Sequence, residues 1–149
     1  MALTLDGTAG VNSPGLTSSG VTTLGETTTV SATAATGTIN LDVITQSIVY
    51  YTTNASANFT LNVRGNSTTS LNTLMATGET RTVTFMNTNG SPAYYANAFT
   101  IDGTSVTPKW QGGTAPAAGN ASSVDVYTLA ITKTAASTYT VFASLSQFK

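Results

Sequence analysis

Apolar residues in this chain come in short alternating runs, and the positions between them are filled by threonine, serine and asparagine rather than by charge. Ile39, Leu41 and Val43 alternate with Asn40 and Asp42, and Phe59, Leu61 and Val63 alternate with Thr60, Asn62 and Arg64. A period of two places one set of side chains on a single face of an extended strand. About one residue in five is threonine, well above ordinary usage, and its β-branched side chain suits a pleated sheet. The pattern predicts an all-β fold. At 149 residues the chain is long enough to bury one core, and a hydrophobic content of 40% argues against disorder.

Further strands follow from the same reading. Ile48-Val-Tyr-Tyr51 is a continuous apolar stretch, the signature of a strand buried on both faces. Thr82–Phe85, Tyr94-Tyr95 with Phe99–Ile101, Val106–Trp110, Val124–Thr132 and Tyr139–Leu145 complete the set. Asn89-Gly90 is the strongest hairpin signal, and Asp102-Gly103 is a second. Pro108 marks an edge strand, and Gln111–Asn120 reads as a Gly/Pro/Ala loop. Ser70–Met75 is the one helical candidate, capped by Ser70 and ended by Gly78. Short strands with turns at this spacing predict an antiparallel β-sandwich of jelly-roll type with at most one short helix.

The first three dozen residues differ. Gly10, Gly15, Gly20 and Gly25 recur every five residues, and Val11, Leu16 and Val21 each follow a glycine. This is too poor in apolar residues to form a core, so residues 1–38 are expected to be an extended arm and residues 39–149 the sandwich. Such a segment gains order by lying on a neighbour. Leu3, Leu5, Val11, Leu16, Val21 and Leu24 are its candidate assembly contacts. The opening Met1–Asp6 lacks the basic and apolar regions of a secretory signal, and no apolar run is long enough to span a membrane.

Composition narrows the chemistry. With no histidine and no cysteine, the common nucleophile–base pairs and the usual zinc ligands are missing. Six acids remain, Asp6, Glu26, Asp42, Glu79, Asp102 and Asp125, and their spacing asks for no catalytic pair. No stretch concentrates them into a calcium loop. The expectation is no enzyme, no cofactor and no metal. Five scattered basic residues and a net charge of −1 predict no nucleic-acid partner, and so little charge leaves copies of the chain free to associate. Tyr50, Tyr51, Tyr94, Tyr95 and Trp110 are candidates for subunit contact or for stacking on a glycan. Half-buried packing is the stronger reading for tyrosines in strands.

Four segments carry a family likeness: Phe59-Thr-Leu-Asn-Val-Arg-Gly65, Thr82-Val-Thr-Phe85, Lys109-Trp-Gln-Gly-Gly-Thr-Ala-Pro116, and Gly119-Asn120 leading to Asp125-Val-Tyr127. Together they resemble a domain of virion proteins of tailed bacteriophages, marine and cyanobacterial phages especially. The likeness spans Ile39 to Lys149. It implies a structural protein on the virion exterior, assembled as a homotrimer. Its short arm fits a capsid decoration protein that clamps the major capsid protein or other virion proteins. The alternative is a tail-fibre or head-fibre adhesin that binds host-surface glycans.

Overall fold

The computed structural model describes residues 26–149. They form two β-sheets packed face to face, a β-sandwich. The strands are β1 (Thr28–Ala34), β2 (Gly37–Asp42), β3 (Ile48–Thr53), β4 (Phe59–Arg64), β5 (Thr80–Asn89), β6 (Ala96–Ile101), β7 (Thr104–Ser105), β8 (Lys109–Trp110), β9 (Ser123–Ala135) and β10 (Thr138–Phe148). A four-residue helix, α1 (Leu71–Leu74), lies between β4 and β5. The six-stranded sheet runs β1-β3-β5-β9-β10-β8 and the four-stranded sheet β2-β4-β6-β7.

The pairing has two regimes. Through β6 the chain steps from one sheet to the other at each strand, so β1, β3 and β5 pair in parallel in the large sheet. β2, β4 and β6 do the same in the small one. Two successive strands thus make one coil of a flattened helix, and three coils stack. The stack is in register: Thr28 pairs with Ile48 and Ile48 with Thr84, while Ile39 pairs with Leu61 and Leu61 with Phe99. After β6 the chain turns antiparallel. Asp102 and Gly103, at φ 50° and 79°, form the expected hairpin into β7. β9 runs back along β5, and β10 returns along β9. The long strands of the second half therefore pair antiparallel and those of the first half in parallel, while the two-residue β8 adds a short parallel edge to β10. Both satisfy the same alternation, because inward and outward positions repeat every two residues in either case.

The core lies between the sheets. Phe59 of β4, Phe85 of β5 and Tyr127 of β9 are almost wholly buried and meet at ring separations of 5.6, 6.2 and 6.4 Å. Tyr51 adds an edge-to-face contact on Phe85 at 5.2 Å. Contacts of this geometry contribute about 1 kcal/mol each beyond the area they bury.

Several local expectations are corrected. The strands begin at Thr28, not Ile39, so β1 and the start of β2 belong to the sandwich and not to an arm. β1 shows no apolar alternation because it is an edge strand with a single large apolar residue, Val30, and that residue points outward. Backbone pairing holds it to β3, with the Thr52 and Thr53 hydroxyls donating to the Ser31 and Ala32 carbonyls at 3.2 and 2.7 Å. β3 is not buried on both faces: Val49 points into the core, whereas Ile48 and Tyr50 are only half-covered on the outer side.

Asn89-Gly90 makes no hairpin. The chain crosses there to the other sheet, and β6 pairs with β4. Two contacts with distant segments hold this crossing. The buried Asn89 side chain is committed inward, and Gly90 lies against the Asn54 side chain, where a β-carbon would come within 2.7 Å of its amide nitrogen. Nor does Gly78 end α1. The helix stops at Leu74, and the buried Lys133 ammonium of β9 takes the free carbonyls of Asn72 and Met75 at 2.6 and 2.8 Å. Gly78, at φ 90°, serves the turn into β5.

Candidate functional site

Four acids, Asp42, Glu79, Asp102 and Asp125, are committed to structure; Glu26 is exposed ahead of β1, and Asp6 lies outside the described residues. Asp42 pairs with Arg64 at 2.7 Å, a hydrogen bond that raises the guanidinium above its ordinary value. Glu79 pairs with Arg81 at 2.9 Å. Asp102 accepts the Leu71 and Asn72 amides at 2.7 and 3.1 Å and so caps α1 from the neighbouring hairpin. None of these is brought to another acid as a catalytic pair would require. Among the described residues no three groups of the metal-ligating types come together.

Asp125 is the exception in its environment. It is fully buried on the inner face of β9 and forms no ion pair among the described residues. Its carboxylate accepts from the Asn89 side-chain amide at 3.0 Å, the Asn120 backbone amide at 3.0 Å and the Asn120 side-chain amide at 2.8 Å. Asn89 in turn accepts from the Asn87 side chain at 3.0 Å and the Tyr94 amide at 3.1 Å. The cluster ties β5, β9, the turn after β5 and the end of the 111–120 loop together. Every bond to Asp125 is donated by an amide, which balances the charge without a second ion. Asp125 falls in the Gly119–Tyr127 stretch that carries the family likeness, but nothing in the sequence marks it as buried or joins it to Asn89 of β5.

Next to this cluster, Tyr127 accepts the Ala96 amide at 3.1 Å. Burial pushes its phenol far above the ordinary range, against the smaller opposing effect of that hydrogen bond. An unfolded tyrosine loses its proton near pH ~10. The folded one holds it, so the stabilisation is complete below about pH 10 and is lost as pH rises toward the raised folded value. Tyr127→Phe is expected to flatten the alkaline decline in stability, read as urea midpoints at about pH 8 and about pH 11. Burial also raises Tyr139, so a shallower slope stays. An alkaline limb identical to that of the unsubstituted chain would refute the assignment.

The five candidate aromatics do not share a surface. Tyr50 points outward from β3 and Tyr51 inward. Tyr94 and Tyr95 lie in the turn leading to β6. Trp110 packs edge-to-face on Phe99 at 5.4 Å, between the sheets. The six arm residues, Leu3 through Leu24, lie outside the described residues.

A polar groove of about 390 Å³ is lined by Asn62, Arg64, Asn66 and Asp102 among others. Its side chains are already engaged. Asn62 donates to Asn40 at 2.7 Å and accepts from Thr100 and the Gly103 amide at 2.7 and 2.9 Å, and Asn66 accepts the Thr68 and Thr69 amides. Few free groups are left there to select a ligand.

The outer face of the six-stranded sheet is different. Strand register aligns Val30, Tyr50, Met86, Val126 and Ser146 in one row across five strands. Phe142 and Phe148 of β10 share that face, beside Ala130 and Val124 of β9. Val30, Phe142 and Phe148 are 65, 52 and 60% exposed. Within the paired strands, Lys109 is the one charged side chain on this face, and it leans over the Phe142 ring at 5.9 Å. A signal for this face was present in β9, where Val124, Val126 and Ala130 fill the outward phase while Tyr127, Leu129 and Ile131 fill the inward one.

No family model, curated protein or solved structure matches this chain.

Proposed function

We propose that the chain is a non-catalytic structural protein of a tailed-phage virion exterior, a capsid decoration protein that assembles as a homotrimer and attaches through its N-terminal residues to the major capsid protein. One observation carries the assembly part of this reading: a broad, almost uncharged sheet face that holds three of the four large apolar side chains exposed among the described residues. Isolated monomers rarely present such a surface. The engaged acids support a passive role. β1 also favours addition of a neighbour's N-terminal segment. It is an edge strand with neither proline nor charge, the setting in which an extended segment pairs with a sheet. The virion setting itself rests on the sequence likeness.

Copy number tests it. Quantitative mass spectrometry of purified particles, referenced to the major capsid protein, is expected to give hundreds of copies. A handful to a few dozen would replace the decoration role with a fibre adhesin. Absence from the particle would overturn the virion reading.

A further inference from the structure

We propose that the outer face of the six-stranded sheet is an interface between copies of this chain, with a second copy as its occupant. This names a surface for self-association, the pairing of two copies, and rests on the reading above that the chain assembles with itself. The argument begins with where the exposed apolar groups are. Val30 is on the first strand of the sheet and Phe142 and Phe148 on the fifth, yet the register sets all three on one side. Ile44, the fourth large exposed apolar residue among those described, sits in the β2–β3 turn, away from this face.

Size fits a stable contact. Five strands spaced about 4.8 Å apart, over about nine residues at about 3.3 Å each, present a patch of about 700 Å². A stable protein–protein interface buries about 800 Å² on each partner.

Charge selects the occupant. A nucleic acid or a charged protein would need countercharge, and this face offers Lys109 alone within its strands. A copy of the same face is uncharged in the same way, and a net charge of −1 per chain adds almost no repulsion. Thr84, Thr128 and Ser144 lie between the apolar rows and supply hydroxyls that pair with water in the free subunit or with one another across the contact.

The test is sedimentation equilibrium on the full chain and on three variants, Val30→Glu, Phe142→Glu and Ile44→Glu. All three positions are exposed in the subunit, so folding is expected to survive, as far-UV circular dichroism will show. The unsubstituted chain and Ile44→Glu are expected to sediment at a multiple of 15.2 kDa. Val30→Glu and Phe142→Glu are expected to associate at least ten-fold more weakly. A monomeric unsubstituted chain at the highest soluble concentration overturns the proposal, as do two face variants that associate as tightly as the parent. Particle copy number is a separate measurement, so this surface can fail while the virion reading stands, and the reverse.

Discussion

Asp125→Ala is expected to lower the unfolding free energy by about 4 kcal/mol, one of the two largest losses from a single substitution in this fold. Three donors converge on that carboxylate, from Asn89 and twice from Asn120. Removing it leaves the buried Asn89 amide and the two donors of half-buried Asn120 without their acceptor, and each buried donor left without an acceptor costs about 1–3 kcal/mol. The expected sum is below the simple total because the 111–120 loop can shift to rehydrate Asn120, whose bonds to Asp125 are its main tie to the sandwich. Asp125→Asn keeps the shape but turns an amide toward donors, so it is expected to lose about half as much. Urea unfolding monitored at Trp110 measures both. A loss under about 1 kcal/mol for the alanine variant would mean that the cluster contributes shape and little energy.

Phe85→Ala is expected to cost about 4 kcal/mol, the usual range for an aromatic truncated in a closed core. Phe85 is fully buried and touches Tyr51, Phe59 and Tyr127, which come from three other strands. It sits on β5, the strand shared by the parallel coils and the antiparallel return. The vacated space cannot close without moving both halves. Phe85→Leu retains most of the volume and is expected to cost about 1.5 kcal/mol. If the two variants unfold at the same denaturant concentration, the aromatic cluster is not the anchor described here.

Legibility followed burial. β2, β4, the middle of β9 and the middle of β10 could be read because their inner positions, such as Leu41, Leu61, Leu129 and Val141, are apolar where the sheets meet. β1 could not, since an edge strand held by backbone pairing and threonine hydroxyls needs no apolar rhythm. The Asp102-Gly103 hairpin was legible because both residues must adopt positive φ wherever the chain goes next. Asn89-Gly90 carries the same signal, yet Asn89 is held inward by Asp125, a residue far along the chain. The capping roles of Asp102 and Lys133 were hidden for the same reason: the helix each one serves is a distant segment.

The candidate site divides in the same way. A poverty of charge and the absence of histidine and cysteine already turned the reading from catalysis toward assembly. Gathering Val30, Phe142 and Phe148 on one face required the register of five strands. Of the five candidate aromatics, Tyr51 and Trp110 pack between the sheets, in keeping with the packing reading, while Tyr50 faces outward and Tyr94 and Tyr95 lie in the turn before β6.

By itself the sequence determined that this chain is all-β, that its strands have an inner and an outer side, and that its surface is nearly neutral. Composition and a two-residue period are enough for that. The tertiary structure alone decided which strands are neighbours, where the chain coils in parallel and where it turns back, and which polar residues are buried. The physical reason is that alternation specifies which way a side chain points and carries no information about the strand beside it. That choice is made by long-range contacts, Phe85 against Tyr127 and Asp125 against Asn89 and Asn120, which form only when the sheets close.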